Sequence, residues 1–276
     1  PPASFVPMVQ PNIPLDPFTQ ALQHIRGLIE AGQLQPAAVA LNAAQKQAPT
    51  DARVPLIGMR LAQRAGKPEQ AVQSARRALA LAPGWHVAQI ELALLLAQQK
   101  QGDEAMQLAM QALASAPQEP QVMAGAINVA LFSDRGEQTL AWAEDGVRRF
   151  PDNAGIRLFL ARYLAAQKRH RDAAAQYEYV QQRAPANEEA LQGLLDCALA
   201  LGDDGQARAW ADRLLALKPD DPGAQYWHAV AHGRTPETQP PEVVTNIFDG
   251  YAQNFDMHLV RAWSTACLSA WRRSCW

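Results

Sequence analysis

The apolar pattern of this chain beats at two periods, one of three to four residues and one of 34 residues. Small or apolar residues recur at Ala37, Ala71, Ala105, Thr139, Ala173 and Ala207, and four positions on at Leu41, Ala75, Ala109, Ala143, Tyr177 and Ala211. Three further on they recur again, at Ala44, Ala78, Ala112, Gly146, Val180 and Leu214. Steps of four and then three put all three series on one face of a helix. Each is preceded by a second helical stripe: Ile25/Leu28, Met59/Ala62, Ala93/Leu96, Ile127/Ala130, Ala161/Leu164 and Leu195/Ala198. The pattern predicts six pairs of helices, with small side chains where neighbouring helices approach closely.

The punctuation keeps the same step. Pro49, Pro83, Pro117, Pro151, Pro185 and Pro219 close successive units, each stopping a second helix. Gly32, Gly66, Gly102, Gly136 and Gly202 fall between paired helices, where a helix ends in a left-handed residue. The fifth unit carries Lys168-Arg169-His170 there, which predicts a less regular turn.

Spacing, small residues and prolines together resemble the tetratricopeptide repeat family from about residue 18 to 219. The family's Trp and Gly-Tyr signature in the first helix is largely missing, so these are degenerate copies. The resemblance implies an all-α, right-handed superhelix (an α-solenoid) of about six helix-pair units, with Pro222–Gly233 as a capping helix. It also implies a protein-interaction scaffold that holds a protein or peptide on the concave face lined by the first helices. One register of those helices reads Arg60, Leu94, Asn128, Arg162 and Asp196, with Arg64, Phe132 and Gln192 nearby. Arg60, Arg64, Asn128, Phe132, Arg162, Gln192 and Asp196 are thus the candidate partner-binding residues. A solvated polar face accounts for the same residues equally well. They do not reproduce the basic clamp of repeats that hold a C-terminal carboxylate.

Alanine and leucine dominate the composition, which favours an all-helical reading. With 25 basic and 27 acidic side chains and no basic stripe, nothing points to a nucleic acid or an anionic membrane. No run of apolar residues is long enough for a membrane span. The three cysteines form no CxxC, so neither a disulfide framework nor a zinc knuckle is expected, and the setting expected is reducing and cytoplasmic. His228 and His232 stand four apart, a metal-compatible spacing, but no third ligand is evident and no metal site is expected. Trp210, Tyr226 and Trp227 are expected to seal the end of the stack. No GxG, Walker loop, GxSxG or HExxH occurs, so no cofactor and no catalytic residue is assigned.

The flanks depart from the repeats. Residues 1–17 are proline-rich and predict an extended lead-in to an array over 18–233. Residues 234–243 read as a linker. Residues 244–260 predict an amphipathic helix with Phe248, Tyr251, Phe255 and Leu259 as candidate docking residues. The residues Phe248, Asp249, Tyr251, Ala252, Phe255, Asp256, His258 and Leu259 resemble the junction between tetratricopeptide repeats and a class I S-adenosylmethionine-dependent methyltransferase domain in bacterial proteins. That resemblance implies the recruiting part of a methyltransferase, but the family's acidic-Gly-x-Gly loop is not in this chain. Residues 261–276, RAWSTACLSAWRRSCW, crowd cysteine, tryptophan and arginine with no helical stripe. Such a mix is what GC-rich coding DNA yields out of frame, and with GC-biased codons another frame of the same bases gives an amphipathic continuation. A truncated or frameshifted methyltransferase is therefore the alternative to a free-standing scaffold.

Overall fold

The computed structural model describes residues 16–234, which hold thirteen α-helices and no strand. They run as pairs: α1 (Pro17–Glu30) and α2 (Leu34–Gln47), α3 (Arg53–Arg64) and α4 (Pro68–Leu81), α5 (His86–Gln98) and α6 (Gly102–Ser115). The series continues with α7 (Pro120–Phe132) and α8 (Gly136–Arg149), α9 (Ala154–Ala166) and α10 (His170–Arg183), α11 (Glu188–Leu201) and α12 (Asp204–Leu217), and ends on α13 (Pro222–Ala231). The chain divides after Ile156 into two compact units. In the first, consecutive helices from α1 to α8 pack on one another, and α1 also meets α3 and α5 meets α7. In the second, α10, α11, α12 and α13 pack in sequence. None of the described helices is long and apolar enough to cross a membrane.

The core is the set of positions that the 34-residue period marks. Along the second helices every residue of the three small-residue series is buried except Leu41, which is half-buried. The first helices show how degenerate repeats keep a constant volume. From the second unit onward one member of each stripe pair is large and the other is alanine, in alternating order: Met59/Ala62, Ala93/Leu96, Ile127/Ala130, Ala161/Leu164, Leu195/Ala198. All ten are buried. A close-packed interior accepts either order, whereas the first unit carries two large residues, buried Ile25 and half-buried Leu28.

The turns correct one expectation. The left-handed residue stands at Gly32, Gly66, Lys100, Asp134, Lys168 and Gly202, at a constant 34-residue step. Gly102 and Gly136 are not turn residues but the first residues of α6 and α8. The fifth turn is as regular as the rest. Arg169 N–H donates to the Leu164 carbonyl at 2.9 Å, as Lys67 does to Ala62 and Gln101 to Leu96 at the same distance. A side chain in the left-handed region costs about 1–2 kcal/mol. Helix packing on both sides of the turn outweighs that cost, so glycine is favoured there but not required.

The prolines act one residue upstream. Ala48, Ala82, Ala116, Phe150, Ala184 and Lys218 each precede a proline and each cap a helix with φ between −125° and −140° and ψ between 61° and 78°. Proline excludes the helical conformation from the residue before it, which ends the second helix at a fixed place in every unit.

Candidate functional site

Part of the first-helix register lines two clefts, one in each unit. In the N-terminal unit, α1, α3 and α5 enclose about 580 Å³ lined by Arg26, Glu30, Arg60, Gln63, Arg64 and Glu91. Arg60 is ion-paired to Glu91 at 3.2 Å, and Arg64 donates to the Glu30 carbonyl at 3.4 Å. Both guanidiniums are exposed and partnered within the unit. Asn128 and Phe132 lie on α7 outside this cleft; Asn128 is half-buried and Phe132 is 44% exposed.

In the C-terminal unit a larger cleft of about 950 Å³ draws residues from α9, α11 and α13, with α10 and α12 behind them. Three sequence candidates, Arg162, Gln192 and Asp196, meet here. The structure adds Tyr177, Trp227 and Lys218. Arg162 is ion-paired to Glu189, and Lys218 Nζ lies 2.7 Å from Glu188 and 3.3 Å from Asp221. Both cations of the cleft are thereby engaged.

Asp196 is different. Its Oδ1 accepts a hydrogen bond from Gln192 Nε2 at 2.8 Å, and no cation pairs with it among the described residues. Water reaches its carboxyl through the mouth of the cleft, while protein crowds it on the other sides. That crowding disfavours the charged form and raises its pKa to about 6, against the opposing pull of the Gln192 hydrogen bond. The neighbouring Cys197 thiol is pushed up to about 11, by burial first and then by the Asp196 charge.

Tyr177 enters the cleft because α11 leaves room for it. It occupies a position that is alanine in most units, and its ring lies flat over Gly193, where a Cβ would sit 2.3 Å from Tyr177 Cζ. Burial raises the pKa of its phenol. A large residue in a series of small ones was the sequence signal for this side chain. Trp227 both packs on the C-terminal core and faces the cleft, so sealing the stack is only part of its role.

On the side of α13 that faces α12, His228 and His232 meet Asp212. Spacing along one helix revealed the histidine pair but not the carboxylate, which comes from the preceding helix. Phe248, Tyr251, Phe255 and Leu259 lie outside the described residues.

Residues 62–125 and 164–232 match the model of the tetratricopeptide repeat family. The fold is a tetratricopeptide repeat array. Among solved structures it is similar to PilF of Pseudomonas aeruginosa (21% identical, TM-score 0.58, 77% of this chain and 97% of that one). It is also similar to PilW, a type IV pilus biogenesis factor (18%, 0.62, 75% and 96%), and to YrrB, a tetratricopeptide repeat protein with an unusual peptide-binding site (16%, 0.50, 68% and 96%). At these identities the likeness is one of fold. No curated protein matches the sequence. Stacked helical repeats in general build extended surfaces that such proteins use for binding.

Proposed function

We propose that this array is a non-catalytic scaffold that holds an extended peptide in the cleft of the C-terminal unit, with a basic side chain of the peptide against Asp196. The observation that carries this reading is the Asp196 carboxylate, which faces about 950 Å³ of open cleft and has no cationic partner among the described residues. Glu188, Glu189, Asp196 and Asp221 outnumber Arg162 and Lys218 on the cleft wall, so the cleft is negative. Trp227 offers an aromatic face beside it for the apolar stem of a lysine or arginine. Arg60 and Arg64, already partnered in the other cleft, are weaker anchors.

The test is an array of immobilised decapeptides varied at one central position. Peptides with central Lys or Arg should be retained at pH 7.5, and Asp196→Asn should weaken their capture about tenfold, the scale of one charge-assisted contact. Capture should strengthen as pH rises through about 6, where Asp196 ionises. Equal retention of peptides with central Glu, or capture indifferent to Asp196→Asn, would sink the reading.

The same carboxyl gives a stability signature. Its folded pKa, about 6, stands above the ordinary aspartate value of 3.8, so the folded chain holds this proton more tightly than the unfolded one. Its contribution therefore favours folding most at low pH and is lost as pH rises from about 4 to about 6. Asp196→Asn should raise the melting temperature at pH 7.5 and change it little at pH 4.

The Phe248–Leu259 stretch carries a second reading, in which the array recruits a substrate or partner for a methyltransferase domain. The 276-residue chain has no Gly-x-Gly loop for the methyl donor, so calorimetric titration with S-adenosylmethionine should give no heat of binding. A signal at micromolar ligand would overturn the non-enzyme assignment.

A further inference from the structure

We propose that Asp212, His228 and His232 form a binding site for one divalent late first-row metal ion, of which zinc is the natural occupant, and that the ion clamps α13 to α12. The three side chains offer one oxygen and two nitrogens that all lie within 4.8 Å of one another. His228 Nε2 lies 3.0 Å and His232 Nε2 2.8 Å from the same oxygen, Asp212 Oδ1. The imidazoles stand one helical turn apart with ring centroids 4.4 Å apart, and a backbone bond from His232 N–H to the His228 carbonyl at 3.1 Å holds that turn in register.

One imidazole would satisfy one carboxylate. Two imidazoles that both aim Nε2 at a single oxygen converge on a point, which is the arrangement chelation needs. Zinc bonds nitrogen and carboxylate oxygen at about 2.0–2.2 Å in a tetrahedron, which sets neighbouring ligand atoms a little over about 3 Å apart. Small rotations of these side chains reach that spacing, because they are 22%, 28% and 55% exposed. When the ion takes the two Nε2 lone pairs, the ring protons reside on Nδ1, and any displaced proton leaves to solvent. The fourth position stays open to water. Imidazole and carboxylate together suit zinc, copper and nickel rather than magnesium or calcium.

Among the described residues the surroundings favour a cation and supply no competitor. His232 caps the C-terminus of α13, where the last carbonyls attract positive charge. Of the two arginines flanking Asp212 on α12, Arg208 donates to the Asp204 carbonyl and the Arg213 guanidinium lies over the Trp210 ring. Neither neutralises Asp212. An aspartate is anionic at neutral pH and so can serve as a ligand without further activation. An ion bound only by the folded chain stabilises it by mass action, and here it would hold the last described helix on the last complete pair.

The test is titration of the full chain with cobalt(II), followed by absorption, with zinc(II) as competitor. The expected result is one ion per chain, visible d–d bands, no thiolate-to-cobalt charge-transfer band, and displacement by zinc. His228→Asn, His232→Asn and Asp212→Asn should each weaken binding about tenfold or more, and the double histidine variant should lose it, all with unchanged circular dichroism. Zinc should raise the melting temperature of the parent chain and not that of the double variant. No binding up to about 1 mM ion would overturn the site. So would a charge-transfer band, which would place the ion on cysteine, or undiminished binding by the double histidine variant.

Discussion

Leu96→Ala should destabilise the N-terminal unit by about 2–5 kcal/mol, the range for removing a fully buried leucine from a core that cannot collapse around the loss. Leu96 is wholly buried on α5, within the cluster that joins α3 to α7. It is also the one large member of its stripe pair, because its partner at the same level is Ala93. The variant leaves alanine at both positions, a combination that no unit of the array uses. The double change Ala93→Leu/Leu96→Ala restores the large-then-small order of the second, fourth and sixth units and should recover most of the loss. Urea unfolding of the three variants measures this. If the double variant is no more stable than Leu96→Ala alone, volume compensation between the two positions is not what holds this layer together.

Gly193→Val should cost about 2–3 kcal/mol in the C-terminal unit. A Cβ there falls 2.3 to 2.6 Å from three ring atoms of Tyr177, well inside any real contact, and Tyr177 is a buried residue. Overpacking of a core ordinarily costs about 1–3 kcal/mol. Valine's better helix propensity than glycine returns only a few tenths of a kcal/mol. The diagnostic is coupling. Tyr177→Ala alone opens a cavity, while in the double variant the valine side chain fills part of it. The loss in Gly193→Val/Tyr177→Ala should therefore fall below the sum of the two single losses. Strict additivity would show that the ring is not what the new side chain meets. Because Tyr177 lines the cleft, the same variants should also disturb capture of a basic peptide.

The helices were legible in the sequence because one unit is copied six times. Each repeated position averages over its neighbours, so a small residue at Ala71, Ala105, Ala173 and Ala207 marks a buried contact even where one unit departs to Thr139. The turns were harder to read. Glycine marked the left-handed position correctly at Gly32, Gly66 and Gly202, but it was a false guide at Gly102 and Gly136. There Lys100 and Asp134 carry the left-handed backbone, since a conformational cost of about 1–2 kcal/mol is small beside the packing that dictates it.

The candidate site divides in the same way. Spacing alone put Arg162 and Asp196 on one register with Gln192 nearby, and the three share a cleft. It could not show that Arg60 and Arg162 are committed to Glu91 and Glu189. Nor could it show that Asp196 faces open space without a cation, or that Asp212 from α12 completes a pair of histidines on α13. Periodicity along the chain sets which residues share the face of a helix, because that depends only on the turn of the backbone. Which charges meet, and which are left without a partner, depends on side chains from different helices arriving at one point, and that is decided when the helices pack.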